Sequence, residues 1–257
     1  MTKRAAFLDF KVDHMTLLVQ PRLYNVAFVL FKTVFGVGPE DLLYDKRKEW
    51  TPGAGEVSMT YAMRLGSGVD EPKLINTIVA VVQPSEPAGQ PSHVRSMLDS
   101  HGAAAHWQHV ALRTSDLLAF HQHAVERGVN FITPVLKDEE ENLIQVFSGE
   151  WFFPGSQASA MFFEFLQRDP SDQDVARVRE QNRRWFRDET FMGLYDEKER
   201  EYRSGNVTPF IDAALFEKLE ALVGALHVWQ IDATVLAACE RTMLDYARAK
   251  AQSGGAA

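Results

Sequence analysis

The sequence predicts an α+β chain in which one βαβββ unit occurs twice and is followed by a helical C-terminal extension. Three observations predict it. Two segments each run through a β-type stretch with a central histidine, a helix and a Gly-Val stop: Val12–Leu18 leading to Gly36-Val37, and Trp107–Leu112 leading to Gly128-Val129. Further β-type runs follow each helix. From about residue 171 the apolar spacing turns helical, with no β pattern of comparable strength.

In the first unit, Val12-Asp13-His14-Met15-Thr16-Leu17-Leu18 reads as a strand. Pro21 then opens a helix carrying Tyr24, Phe28, Phe31 and Phe35. β-type runs at Val57–Leu65 and Leu74–Val82 follow. The stretch Gln83–Gln90, rich in Pro and Gly, and a short helix near His93–Ser100 join the two units. In the second, Ser115 is expected to cap a helix through Leu118, His121 and Val125, with strands at Asn130–Thr133, Leu143–Phe147 and Met161–Leu166. Beyond, Ser171-Asp172-Gln173-Asp174 resembles a capping-box start, and Thr208-Pro209 a cap followed by a first-turn proline. Ile211, Leu215, Leu219 and Leu222 mark one helical face, and Val235, Cys239, Met243 and Tyr246 another, with fraying after Gln252. The expected domains are 8–168 for the tandem units (modules about 8–90 and 105–168) and 169–252 for the extension.

Composition narrows the function. Of 257 residues, 46% are hydrophobic and 24% charged, the balance of a folded globular chain. Lys and Arg number 27 against 35 Asp and Glu, a net −8, which lacks the basic footprint of nucleic-acid or anionic-lipid binding. Cys239 is the only cysteine, so an intramolecular disulfide or a cysteine-based zinc site is excluded. No apolar run approaches the roughly 18–20 residues that span a bilayer. Asp9 and Lys11 interrupt the short apolar stretch behind Lys3-Arg4, so no signal peptide is expected and cytoplasm is the expected location.

Strand periodicity puts Phe162, Glu164 and Leu166 on one face, where a carboxylate is costly to bury without a proton, a cation or a metal. His14 lies likewise between Val12 and Thr16, and His109 between Trp107 and Ala111. If those three faces converge, two imidazoles and one carboxylate surround a point, a set that suits non-haem Fe(II) with open positions. The plain alternatives are hydrogen-bonded core histidines and, for Glu164, a buried ion pair or an edge position. Other polar clusters read as structure. His121-Gln122-His123 is expected on a solvated surface, Asp138–Glu141 in a solvated turn, Arg183–Arg187 on a partly exposed helix, and Cys239 in an apolar stripe.

The wording of four segments is more specific. Asp13-His14, Gln108-His109-Val110-Ala111-Leu112, Leu143-Ile144-Gln145-Val146-Phe147 and Phe162-Phe163-Glu164-Phe165-Leu166-Gln167-Arg168 stand in the order found in 4-hydroxyphenylpyruvate dioxygenases. The chain thus resembles that family of the vicinal-oxygen-chelate superfamily over roughly residues 8–168, its catalytic half only. The resemblance implies two βαβββ modules forming a curved, partly open barrel. It implies one Fe(II) per chain held by His14, His109 and Glu164, with dioxygen as co-substrate and no catalytic side chain beyond the metal centre. Gln145 would face the substrate, Phe147 and Phe162 would pack on its ring, and Gln108 would belong to the same pocket. Ser85-Glu86-Pro87 and Ser92-His93-Val94 stand where the family has Asn-Glu-Pro and Ser-Gln-Ile. Ser85 and His93 are therefore substrate-side positions, and the usual hydroxyphenyl substrate is in question.

The implied activity is oxygenation of an aromatic 2-oxo acid, with decarboxylation and hydroxylation of the same molecule. Extradiol cleavage of a catechol is the alternative, with His93 as its acid–base group. Glyoxalase-like isomerisation on Zn or Ni and a non-catalytic binding module are further ones. The expected partner is a small aromatic substrate, with no nucleic acid or membrane. The C-terminal helices are expected to mediate a homodimer, to form a lid, or simply to pack on the sheet.

Overall fold

In the computed structural model, which describes residues 5–66, 77–139, 141–181 and 190–254, the βαβββ unit is written twice. The first comprises β1 (Lys11–Val19), α1 (Pro21–Val34), β2 (Leu42–Lys48), β3 (Val57–Leu65) and β4 (Thr77–Val82). After α2 (His93–Ser100), the second comprises β5 (Ala105–Arg113), α3 (Leu117–Val125), β6 (Leu136–Asp138), β7 (Leu143–Phe147) and β8 (Phe162–Arg168). The helices α4 (Asp172–Gln181), α5 (Thr190–Ser204), α6 (Ala213–Val223) and α7 (Ala233–Gly254) form the expected C-terminal extension. The eight strands follow the order β2-β3-β4-β1-β5-β8-β7-β6. Each unit therefore has the same internal order, its first strand beside its last. Two compact units divide the chain: Lys11–Arg113 with Tyr195–Asn206, and Met1–Phe10 with Thr114–Leu194 and Val207–Ala257.

Within the unit containing β1 to β5, β1 runs parallel to β4 and antiparallel to β5. Period-2 alternation divides the faces. Val19, Tyr61, Met63, Val79 and Val81 turn to α1, whose Tyr24 is buried with them and whose Leu23, Phe28 and Phe31 pack against that cluster. His14, Thr16 and Leu18 consequently belong to the other face. Pro21 is preset for the first helical turn, and Gly36 ends the helix at φ +66°, a conformation that costs a residue without Cβ little. Ser92 caps α2 by accepting from the Arg95 backbone N–H at 3.3 Å.

In the other unit the same logic recurs. Phe165 faces away from Glu164 and packs at a tilt of 46° against Phe120 of α3, ring centroids 4.5 Å apart, with Phe10 edge-on to Phe120. Glu164 shares the opposite face with Phe162 and Leu166. Register pairs Phe147 with Glu164 and Gln145 with Leu166, which adds both β7 residues to that face.

Several local expectations are corrected. Asn130–Thr133 forms no strand; Val129 and Phe131 make only isolated bridges, and the strand is β6 further on. Asp116, not Ser115, caps α3, accepting from the Ala119 N–H at 3.0 Å. Thr208-Pro209 starts no helix, because Pro209 and Ile211 bridge to Glu150 and Val129, and α6 begins only at Ala213. The Ser171 start of α4 is as expected: Asp174 N–H donates to Ser171 Oγ and the Ser171 backbone N–H donates back to the Asp174 carboxylate. His121 is half-buried against the Phe131 ring at 4.5 Å, and burial lowers its pKa. Cys239 is half-buried. Leu74, Glu140 and Arg183–Arg187 lie outside the described residues. No helix among the described residues is long and apolar enough to cross a membrane.

The last helix is held by an Arg127–Glu240 ion pair and, further along, by a second carboxylate. Asp212 accepts from Lys250 Nζ and Tyr246 Oη, each at 2.7 Å, and from Asn130 Nδ2 at 3.0 Å. Burial alone would raise the Asp212 carboxyl; the hydrogen bonds from Lys250, Tyr246 and Asn130 outweigh it and lower it below its usual value. A carboxyl lowered by folding contributes stability above its unfolded pKa, and that contribution is lost as pH falls through the folded one. Asp212→Asn is therefore expected to flatten the acid limb of the stability–pH profile, measured by urea unfolding between about pH 3 and 6. An unchanged acid limb would deny Asp212 this role.

Candidate metal centre

The two histidines predicted from the repeats meet. His14 Nε2 and His109 Nε2 are 3.4 Å apart, their rings close to perpendicular at 78°. Their approach follows from strand pairing: on the antiparallel β1–β5 ladder His14 is opposite Ala111 and Thr16 opposite His109, so both imidazoles leave the same face.

The far side of each ring settles which nitrogen carries the proton. His14 Nδ1 lies 3.2 Å from Asp13 Oδ1, and His109 Nδ1 lies 3.1 Å from Gln108 Oε1. Carboxylate and amide oxygens only accept, so each Nδ1 donates and each Nε2 presents its lone pair. Thr16 Oγ1 lies 2.9 Å from His109 Nε2, which places a hydroxyl beside the same point. Two imidazole lone pairs aimed at each other at this range repel unless a proton or cation lies between them. Glu164 completes the set. One ligand atom from each of His14, His109 and Glu164 lies within 4.8 Å of the others, and Glu164 is 3% exposed. Two neutral imidazole nitrogens and a carboxylate oxygen fit a divalent cation with positions left open.

The other predicted positions are placed as follows. Gln145, Phe147 and Phe162 are buried on the face that carries Glu164, with Phe147 edge-on to Phe162 at 6.2 Å. Ser85 accepts from the Trp50 indole N–H at 3.2 Å. Gln108 spends its amide on its neighbours: Oε1 accepts from His109, while Nε2 lies 3.5 Å from His93 Nε2 and 3.8 Å from Met97 Sδ. His93 is buried at the first turn of α2. Burial and the charge of Lys198 push its pKa down to about 3, so it is a neutral ring with one nitrogen able to accept.

Thr16 and Lys198 are not marked by any sequence pattern, and Asp13 is marked only as half of the Asp13-His14 pair. Lys198 on α5 is fully buried and paired with Glu201 at 2.8 Å. A signal for Asp13 was present: an acceptor side chain immediately precedes the histidine in both repeats, Asp13-His14 and Gln108-His109.

No protein-family model and no curated protein matches the sequence. Among solved structures, a triple mutant of 4-hydroxymandelate synthase from Streptomyces coelicolor superposes with a TM-score of 0.50 at 19% identity, over 75% of this chain and 55% of the synthase. Methylmalonyl-CoA epimerase from Mycobacterium tuberculosis matches at 16% identity and a TM-score of 0.42, over 68% of this chain and 97% of the epimerase. The chain thus spans about half the length of the synthase. That likeness is one of fold, and the tandem βαβββ units with helical extension are a vicinal-oxygen-chelate fold.

Proposed function

We propose that this chain is an Fe(II)-dependent dioxygenase that decarboxylates an aromatic 2-oxo acid and hydroxylates the same molecule. The observation that carries the reading is the grouping of His14, His109 and Glu164, with both imidazoles presenting Nε2. Fe(II) held by His14, His109 and Glu164 would supply the dioxygen and redox chemistry that no side chain offers. The protein's share is placement. Phe147 and Phe162 provide a dry aromatic wall on the Glu164 face, suited to an aryl group. Gln145, buried on the same face and paired in register with Leu136 and Leu166, offers one amide to orient a polar substituent.

A catechol substrate calls for an acid–base histidine. His93 is engaged with Gln108 and held neutral far below the physiological range, which favours the oxo-acid reading. The test is anaerobic loading with Fe(II), then addition of oxygen with a panel of aryl-2-oxo acids and catechols. Oxygen uptake matched by CO2 release is the expected result. A ring-opened catechol product, or oxygen-independent isomerisation with Zn or Ni, would replace this reading.

A further inference from the structure

Both candidate ligands share a local construction that a regular strand does not permit. In an unbroken strand, neighbouring side chains point to opposite faces, so residue i cannot reach the ring of residue i+1. The β1–β5 register breaks at two places. It passes from Val12–Leu112 to His14–Ala111, which skips Asp13, and from Thr16–His109 to Leu17–Trp107, which skips Gln108. Each break is a one-residue bulge, one on β1 and one on β5, and each skipped residue immediately precedes a histidine. The bulge re-aims the skipped side chain onto its neighbour's Nδ1, at 3.2 Å for Asp13 and 3.1 Å for Gln108.

We infer that Asp13 and Gln108 are positioning residues, placed by matched bulges to lock the Nδ1–H tautomer of His14 and His109 and so reserve Nε2 for the metal. The inference rests on the reading of those histidines as ligands, and it extends that reading to the groups behind them. Each positioning residue is itself held. The Asp13 carboxylate is 4% exposed and has the Arg113 guanidinium 3.9 Å from its second oxygen. The Gln108 amide has His93 at its nitrogen end, and a neutral His93 ring accepts from that nitrogen. Turning the amide over would set its NH2 against the His109 N–H and its oxygen against a His93 lone pair. His93 is thus the second partner of the amide, one residue further from the metal.

The two arms differ in charge. Asp13 behind His14 adds a carboxylate to balance a divalent cation, whereas Gln108 behind His109 adds none. His14 is thus the more electron-rich ligand, and the Asp13 arm the one whose loss weakens the metal more.

The experiment is nitrogen NMR of the metal-free protein at about pH 8.5, where ordinary histidines are neutral, combined with cobalt(II) titration followed by its visible spectrum. Wild-type protein should show Nδ1–H on both rings. Gln108→Leu should release His109 alone to a tautomer mixture, and Asp13→Ala should do so for His14 alone. Each should weaken cobalt(II) binding by roughly 10–100-fold, and Asp13→Asn, which keeps an acceptor oxygen, should restore the His14 tautomer. Nε2–H on either wild-type ring overturns the inference, even if a variant fails to fold. An unmoved tautomer in a folded variant, or unmoved cobalt affinity, also overturns it. Cobalt bound with the expected tautomers, but no oxygenase activity in the iron form, sinks only the proposed reaction. No cobalt binding by the wild type sinks the metal reading itself.

Discussion

Glu164→Met is expected to abolish metal binding while leaving the metal-free protein at least as stable as the wild type. Removing a ligand should cost more than the roughly 10–100-fold loss that follows removal of a supporting partner. Stability goes the other way because Glu164 is 3% exposed on a face shared with Phe162 and Leu166, both fully buried. A carboxylate there is desolvated at a cost, and a thioether of similar length packs among those neighbours without it. The site is thus a place where the fold gives up stability for chemistry. In the wild type, metal at a hundred times its Kd should stabilise the fold by about 2.7 kcal/mol, visible as a rise in Tm. In Glu164→Met that rise should vanish, with no metal found by elemental analysis after desalting. Full occupancy in the variant would remove Glu164 from the ligand set. His14→Ala should behave alike in occupancy, though its cavity makes the stability comparison less direct.

How far the sequence led can be traced element by element. β1 and α1 were legible because a half-buried strand and a proline-initiated helix each carry a local signature. β2 was not. Its sequence Leu42-Leu43-Tyr44-Asp45-Lys46-Arg47-Lys48 lies at the edge of the sheet with only charged residues after Tyr44 and no apolar alternation, and charged residues suit such an edge. β6, at the other edge, has only three residues, too few for a pattern. The Thr208-Pro209 pair looked like a helix start, but pairing with Glu150 decided its conformation, a tertiary contact that local propensity does not contain. In the site, the repeat made His14 and His109 comparable, and the aromatic wording drew attention to Glu164. The acceptor-His pairs Asp13-His14 and Gln108-His109 are visible in the sequence, but not that each acceptor reaches its neighbour's ring, because a bulge leaves no trace in a period-2 reading. It becomes visible only when the two strands are set in register.

Phe162→Ala is expected to be the most damaging single truncation on the Glu164 face, costing about 3–5 kcal/mol. Phe162 has no exposed surface and meets Phe147 edge-on at 6.2 Å. Its removal deletes both the transfer free energy of a buried ring and the contacts its neighbours made with it, and close-packed surroundings recover only part of that volume. Phe163, one residue on, faces the other way and is half-buried, so the same change there should cost less. Phe153, at 57% exposure, should stay near ±0.5 kcal/mol. Urea unfolding of the three variants checks the ranking, with an unchanged m-value showing that midpoints report stability alone. Phe162→Leu separates packing from recognition. Leucine refills much of the cavity, so stability should recover by more than half. An aromatic substrate would still lose its edge-to-face partner, and KM should stay raised. Full recovery of both would mean that Phe162 supports the strand and does not touch the substrate.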